Sequence, residues 1–157
     1  MLGILNDVQI EEVLRSQLVG RIGCHSGQNI YVVPISYAYD GNYIYAHTFE
    51  GMKINIMRSN PHVCFEVDSL KDLSEWKSVI AWGEFQELTE ETERINGLKI
   101  LMERNLPILS SSTMHISPHW PFPPKEISKI EGIVFRIRLK EKSGRFESNQ
   151  ASPHFAG

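Results

Sequence analysis

A glycine and a lysine at the predicted start of a short helix form the clearest candidate anion site in this sequence. After a strand over 43–48, the pattern predicts a helix over about 51–59, which Asn60-Pro61 ends. A helix start presents unpaired backbone N–H groups and the positive end of the helix dipole, and both attract an anion. The alternative is an ordinary helix start with a surface lysine. The predicted phosphate ligands are Thr48, the backbone of Glu50, Gly51 and Met52, and the side chain of Lys53.

A second unusual feature is the proline inside the strand-like stretch Val33-Pro34-Ile35-Ser36-Tyr37. Proline has no N–H group for strand pairing, so it usually occurs at sheet edges or bulges. Pro34 would leave neighbouring peptide groups free for another partner, and a flat heteroaromatic ring with hydrogen-bonding edges would suit them. An edge-strand proline without a ligand is the alternative. Together with the phosphate turn, the stretch predicts a phosphorylated cofactor that lies along the strands.

Three further residues are candidates for contact with the same cofactor. His47 is close in sequence to the predicted phosphate turn, although a packed or solvent-facing histidine also fits this position. Trp76 and Ser78 flank a lysine at the start of a strand. They could contact a cofactor, or they could form a surface cluster at the strand end.

Other kinds of site have little support in the sequence. His115 and His119 have the spacing of a zinc-binding helix, but Pro118 and Pro121 argue against a helix there. No CxxC pair is present either, so we expect no metal site. The sequence also lacks the P-loop, Gly-x-Gly-x-x-Gly and Gly-x-Ser-x-Gly motifs.

Charge and hydropathy narrow the function classes further. The net charge of −3 gives no electrostatic reason to expect a nucleic-acid partner. No apolar run approaches the ~20 residues that span a bilayer, so we expect no membrane segment. The N-terminus lacks the features of a signal peptide, and the two cysteines form no disulfide framework. We therefore expect a cytoplasmic protein.

The elements that would position the candidate residues are mostly strands. Helices are predicted over 8–18, capped by Asn6 or Asp7, and over 90–104, capped by Thr89. Gly83 inside a strand predicts a bulge or a bend. The strand-like stretches are 20–26, 30–39, 43–48, 62–68, 76–88 and 131–140.

These elements predict a mainly β fold with flanking helices, in which six antiparallel strands form a small closed or split barrel. We expect residues 1–157 to form a single domain with a poorly ordered tail from about residue 144. The proline-rich connection over 106–126 is long for a compact domain, which predicts a functional loop or an interface element.

The order of these stretches resembles the flavin-binding split-barrel proteins of the pyridoxamine 5′-phosphate oxidase-like superfamily. Within it, the chain is most similar to the nitroimidazole-resistance-protein-like branch. The matching segments cover roughly residues 8–140, and they are Gly20-Arg21-Ile22-Gly23, YVVPISYAYDGNYIYAHTFEGMKINIMRSNPHVCFEVD, WKSVIAWGEFQEL and GIVFRIRL.

The resemblance implies a homodimer that binds FMN at the subunit interface and acts on a small molecule as a flavin-dependent oxidoreductase, such as a nitroreductase. Trp76 and Ser78 would lie nearby and could reach the flavin of the other subunit. The sequence position of His47 beside the phosphate turn could also bring it near the substrate. The isoalloxazine edge would be lined by Val33, Pro34, Ile35, Ser36 and Tyr37. The phosphate would be held by Thr48, Glu50, Gly51, Met52 and Lys53.

Departures from the family pattern keep alternatives open. Near its C-terminus the chain has SGRFES instead of a Trp-Arg-Leu signature, which disfavours a pyridoxamine phosphate oxidase-like enzyme. The turn before the short helix lacks paired arginines, so FAD is as compatible with it as FMN. Because no acid–base residue stands out, a non-catalytic module that binds flavin or haem is the other alternative.

Overall fold

A single antiparallel sheet dominates the computed structural model, which describes residues 1–104 and 124–149. The helices are α1 (Asp7–Ser16), α2 (Met52–Ser59) and α3 (Glu91–Glu103), followed by a 3-10 helix at Pro124–Lys129. The strands are β1 (Leu2–Ile4), β2 (Val19–Ser26), β3 (Asn29–Ser36), β4 (Ala38–Tyr39), β5 (Tyr43–Thr48), β6 (His62–Asp72), β7 (Glu75–Glu87) and β8 (Ile133–Glu147).

The strand order β3-β2-β6-β7-β8-β5-β4 leaves β3 and β4 at the two ends of the sheet, and β1 pairs with β8 off this path. The predicted mainly β, antiparallel fold is confirmed, and each of the predicted strands is present. The sheet has eight strands because the predicted strand over 30–39 is interrupted at Tyr37 and because β1 adds a short pair with the end of β8. The sheet is not closed, because among the described residues its end strands β3 and β4 do not pair with each other.

The main core lies on one face of this sheet. Ile22 on β2, Phe65 on β6 and Val79 on β7 are fully buried, as the alternation of apolar residues along those strands requires. Gly83 lies at the predicted bulge, where the β7–β8 register shifts. A Cβ atom at this position would come within 2.2 Å of the Arg138 carbonyl oxygen, so the close approach of the two strands requires glycine.

The helices begin close to where the sequence predicts. Asn6 caps α1 through a capping box, in which its side chain accepts from the Gln9 N–H and the Gln9 side chain accepts from the Asn6 N–H. The predicted Thr89 cap of α3 is wrong. Glu90 caps that helix, because its carboxylate accepts from the N–H groups of Thr92 and Glu93.

α3 covers the opposite face of β5 and β8. Leu98 and Leu101 on α3 are buried against Tyr45 and Val134 in a second apolar cluster. This packing fixes the C-terminal end of α3 beside the β3–β4 break.

The C-terminal end of the sheet extends further than predicted. β8 continues to Glu147, and its residues 145–147 pair with both β1 and β7. The predicted start of the tail near residue 144 is therefore too early, because this part of the chain is a paired strand. Most of the predicted 106–126 connection lies outside the described residues. None of the helices in the described ranges has the apolar length to cross a bilayer.

Candidate functional site

The open part of the sheet lies between β3 and the second half of β5. Ala38 pairs with Tyr45 at the β4–β5 hairpin, and the strands separate beyond that point. If the register continued, Ser36 would lie opposite His47. Instead, among the described residues, β3 pairs only with β2, and residues 46–48 of β5 pair only with β8. We call the space between these two strand edges the split.

The alternation of hydrogen-bonded residues along β3 shows which of its peptide groups face the split. The N–H of Tyr37 donates to the carbonyl of Leu18 at 3.1 Å, which makes these two residues a hydrogen-bonded pair. Peptide groups alternate in direction along an antiparallel strand, so those of Ile35 also point to β2. The peptide groups of Pro34 and Ser36 therefore point into the split. Pro34 occupies a position where a missing N–H group breaks no pairing with β2.

The same reasoning applies to β5. The N–H of Leu139 donates to the carbonyl of Asn42 at 3.2 Å, which makes these two residues a hydrogen-bonded pair between β5 and β8. The peptide groups of Ala46 then point to β8, and those of His47 point into the split. Donors and acceptors from two strands thus face one another across an open space.

The side chain of His47 is packed rather than available. Its Nε2 lies 2.6 Å from the Glu131 carbonyl oxygen, and its ring contacts Phe49 edge-on at a centroid distance of 5.4 Å. Gly132, with a φ of 100°, permits the tight turn that brings this carbonyl to His47. His47 can therefore contribute its backbone to the split, while its imidazole fixes the neighbouring turn.

Two other predicted ring-edge residues, Ile35 and Tyr37, direct neither their peptide groups nor their side chains into the split. The side chain of Tyr37 is buried, and its hydroxyl donates to the Leu14 carbonyl at 2.7 Å. Burial raises the pKa of this phenol. The side chain of Ile35 is also buried in the core. Val33 and Ser36 are half-buried, so Pro34 presents the most accessible side chain of the stretch.

The start of α2 has the features of an anion site. Gly51 precedes the helix with an extended backbone (φ 176°, ψ −173°), and within the described chain no side chain caps the helix N–H groups. A Cβ atom at Gly51 would have no described neighbour closer than the Phe49 carbonyl oxygen at 4.0 Å. The glycine is therefore not required by the fold, and it leaves the approach to these N–H groups open. Lys53, half-buried in the first turn, adds a positive charge.

The side chain of Glu50 is directed to the other end of the same helix. Both of its carboxylate oxygens accept hydrogen bonds from Arg58 at 2.9 Å, and Arg58 also pairs with Glu87 at 2.6 Å. Because Arg58 neutralises this carboxylate, Glu50 can take part in an anion site only through its backbone.

The α2 start and the first part of β3 border a common cavity of about 480 Å³. Its lining includes Gly51 and Met52 from the helix start and Ser26 and Asn29 from the β2–β3 turn. At about 3.3 Å per residue, Asn29 lies roughly 17 Å from Pro34 along the strand. A ligand lying along β3 could therefore have an anionic group at α2 and a ring at Pro34.

Trp76 and Ser78 are not part of this arrangement within one chain. The Trp76 indole donates to Glu147 at 3.1 Å, and the Ser78 hydroxyl donates to Glu66 at 3.3 Å. Two strands, β2 and β6, separate β7 from β3. At about 4.8 Å per strand spacing, β7 lies about 14 Å from β3 and about 10 Å from β5. Trp76 and Ser78 are also displaced along the strands, because they pair with residues 145–147 of β8 whereas β5 pairs with residues 133–138.

The outer face of the sheet between β3 and β7 is unusually apolar. Ile30 is 82% exposed and Val32 is 64% exposed on β3, and Trp82 is 43% exposed on β7. With Cys64 and Lys140, these residues line an open cavity of about 800 Å³. Exposed apolar surface of this kind indicates an interaction face.

Sequence reasoning missed one residue that contacts the predicted ring-edge stretch. Arg104, at the end of α3, donates to the Ser36 hydroxyl at 2.6 Å and to the Tyr37 carbonyl at 3.1 Å. Burial lowers the pKa of its guanidinium. No local sequence pattern predicts this contact, because 68 positions separate Arg104 from Ser36 and only the packing of α3 brings them together.

Comparison with known proteins places this arrangement in a family. The model of the pyridoxamine 5′-phosphate oxidase family matches residues 6–146. The chain belongs to this family. This confirms the superfamily that the sequence segments indicate.

Individual relatives agree with this membership. Uncharacterized protein RA0666 from Rhizobium meliloti is 29% identical over 90% of this chain and 93% of its own length. The structure of an FAD-binding protein from Mesorhizobium loti matches with a TM-score of 0.72 and 29% identity, over 94% of this chain and 99% of that one. A candidate 5-nitroimidazole antibiotic resistance protein from Bacteroides thetaiotaomicron shares the fold, with a TM-score of 0.69 and 17% identity over 93% of this chain and 87% of that one.

Proposed function

We propose that this protein binds a flavin in the split and uses it as an oxidoreductase. The observation that carries the proposal is that two unpaired strand edges face each other and lead to an uncapped helix start. The Mesorhizobium loti relative, which is described as FAD-binding, supports the choice of a flavin over other phosphorylated heterocycles.

The residues present fit the chemistry of a flavin. The edge of an isoalloxazine ring carries hydrogen-bond donors and acceptors, and the peptide groups of Ser36 and His47 supply both. Pro34 supplies a carbonyl acceptor and a flat apolar surface. Thr48, Lys53 and the α2 N–H groups suit the phosphate. When bound, the flavin would supply the redox chemistry, while these residues would bind and orient it.

The phosphate arrangement favours FMN. FMN carries a single phosphate, and the site offers one helix start and one lysine to bind it. FAD could also extend into the open cavity at Asn29, but we expect it to bind more weakly than FMN. Small electron-poor molecules such as nitroaromatics are the proposed substrates, because an open split leaves one face of the ring accessible.

A second copy of the chain is the proposed partner of the apolar outer face. Such a dimer would cover Ile30, Val32 and Trp82, and it would bring Trp76 and Ser78 towards the partner's flavin. A Val32→Glu substitution should then shift the protein from dimer to monomer in analytical ultracentrifugation. Leu73→Glu, at a 90% exposed position in the β6–β7 turn, is the matched control and should leave the dimer intact. A monomeric wild type would contradict this part of the proposal.

The function is tested by spectroscopy followed by reduction. We expect the purified protein to be yellow, or to bind added FMN more tightly than FAD. Anaerobic addition of NADH or NADPH should bleach the bound flavin, and a nitroimidazole should restore its colour. A protein that binds neither FMN nor FAD would contradict the flavin site itself. A flavin-loaded protein that no nicotinamide or artificial donor can reduce contradicts the enzyme function and leaves a binding module.

A further inference from the structure

We propose that Arg58, in the last turn of α2, is a positioning residue for the phosphate end of the site. It holds Glu50, the residue before Gly51, and thereby fixes the turn from which the N–H groups of the helix start are presented. This inference rests on the proposed flavin function and deepens it, because it names a residue outside the binding contacts on which phosphate affinity depends.

Arg58 binds two carboxylates at once through its planar guanidinium. Its Nη1 and Nη2 donate to the two carboxylate oxygens of Glu50, each at 2.9 Å. Its Nε and Nη2 donate to the two carboxylate oxygens of Glu87, at 2.6 and 3.1 Å. Bidentate pairs between arginine and carboxylate are stronger and more specific in geometry than single contacts. This cluster therefore differs from an isolated surface ion pair, which usually contributes little.

The pair with Glu87 anchors Arg58 to the sheet. Glu87 is the last residue of β7, and it lies opposite Phe135 of β8 in the paired ladder. The next residue continues this connection, because the N–H of Leu88 donates to the Val134 carbonyl at 2.9 Å. A carboxylate at the end of a paired strand is a fixed point. Arg58 therefore connects the turn before α2 to a rigid part of the fold.

Within the described ranges, few other contacts hold this turn. Glycine has the widest choice of backbone conformations, and a Cβ atom at Gly51 would have no described neighbour closer than 4.0 Å. Phe49 is 61% exposed, and its ring contacts only the edge of His47 among the described rings. The Gly51 carbonyl accepts from the Asn55 N–H at 3.1 Å, which starts the helix but leaves the residues before it unfixed. The direction of the uncapped N–H groups therefore depends on how Glu50 is held.

Positioning and simple electrostatics predict opposite effects when Glu50 is removed. The cluster joins one positive and two negative side chains, so as a whole it does not attract a phosphate. If only charge mattered, loss of the Glu50 carboxylate would favour an anion at the start of α2. If the turn must be held, the same loss would weaken binding, because the ligand would have to order a loosened backbone. The sign of the change therefore separates the two roles.

The test is a pair of fluorescence titrations of the whole chain, one with FMN and one with riboflavin, which lacks the phosphate. Glu50→Ala and Arg58→Gln should each raise the dissociation constant for FMN about 5- to 30-fold, the cost of ordering about one residue on binding. Both should leave the dissociation constant for riboflavin nearly unchanged. Glu87→Gln keeps the Glu50–Arg58 pair but weakens its anchor, so its effect on FMN should be smaller.

Lys71→Gln is the matched control, because it breaks an exposed ion pair, with Glu75 at 2.8 Å, beside the distant β6–β7 turn. It should change neither dissociation constant. If Arg58→Gln fails to fold, Glu50→Ala decides, because the Glu50 side chain is 65% exposed.

Three results would overturn the inference while the flavin site stands. They are tighter FMN binding by Glu50→Ala, wild-type FMN affinity in both Glu50→Ala and Arg58→Gln, and equal losses for FMN and riboflavin. The last result would show a general structural role. A wild type that binds no flavin, or that binds FMN no more tightly than riboflavin, would overturn the proposed site instead.

Discussion

The phosphate end of the proposed site can be tested by changing one charge. Lys53 lies in the first turn of α2, half-buried, beside N–H groups that no described side chain caps. We expect Lys53→Gln to weaken FMN binding and Lys53→Glu to weaken it further. Neither change should unfold the protein, because Lys53 lies at the edge of the core and not within it.

The expected magnitude follows from the position of the lysine. Two unit charges 4 Å apart interact with about 4 kcal/mol at an effective dielectric constant of about 20. Lys53 is partly in contact with water, which reduces this to about 1–2 kcal/mol, or about 5- to 30-fold in the dissociation constant. Reversing the charge doubles the change, to about 30- to 900-fold.

The assay is a fluorescence titration with FMN and, in parallel, with riboflavin, which lacks the phosphate. Lys53→Gln should raise the dissociation constant for FMN and leave that for riboflavin nearly unchanged. Added salt should narrow the difference between variant and wild type, because it screens the lysine–phosphate attraction. Lys99→Gln is the control for a general loss of positive charge. Equal effects on FMN and riboflavin, or none on either, would refute the placement of the phosphate.

Three further substitutions test the site and the fold. Gly51→Ala should weaken FMN binding about tenfold while changing the unfolding free energy by less than about 1 kcal/mol, since its Cβ would enter open space. Glu11→Gln should cost about 1 kcal/mol at neutral pH, because it loses the charge-assisted bond from Lys142. Gly83→Ala should cost about 2–3 kcal/mol in urea unfolding, because its Cβ would clash with the Arg138 carbonyl.

The pH dependence of the Glu11 effect gives it a distinctive signature. Burial opposes ionisation of Glu11, but hydrogen bonds from Lys142 and Tyr39 lower its pKa overall. A lowered pKa contributes stability above the ordinary value of 4.5, and this contribution is lost as the pH falls through the native pKa. The difference between wild type and Glu11→Gln should therefore shrink below about pH 4.5. A difference that stays constant to pH 3 would contradict the proposed ion pair.

Controls separate binding effects from folding effects in the other two variants. For Gly51→Ala, unchanged FMN affinity would show that the ligand does not approach the helix start closely. For Gly83→Ala, wild-type stability would contradict the close β7–β8 approach at the bulge. Gly27→Ala is no control for either glycine, because its φ of 59° adds backbone strain of its own.

Local chemistry made much of the fold predictable. The Asp40-Gly41 hairpin forms because the Asp40 carboxylate accepts from the N–H groups of Asn42 and Tyr43, while Gly41 adopts a φ of 104°. The α1 cap likewise depends on groups close in sequence, and a glycine inside a strand pattern is itself the signal for the bulge at Gly83. Alternating apolar residues identified the strands, because each has one face in the core.

The features that the sequence did not reveal depend on contacts between distant segments. Both halves of β5 pair with β8, and nothing local distinguishes the half that also pairs with β4 from the half whose other edge stays open. The split is therefore visible only in the assembled sheet. The Arg104–Ser36 contact depends on where α3 ends relative to β3. The Glu90 cap was missed because threonine is the better local capping residue and lies one position earlier.

Amide hydrogen exchange of the protein with and without saturating FMN tests the central claim most directly, because it reports where the flavin lies. We predict slower exchange at the N–H groups that face the split, those of Val32, Ser36 and His47, and at the α2 start over residues 51–53. The exposed β6–β7 turn around Leu73 should not change. Absence of protection at both strand edges, or protection confined to other parts of the sheet, would contradict the proposed site.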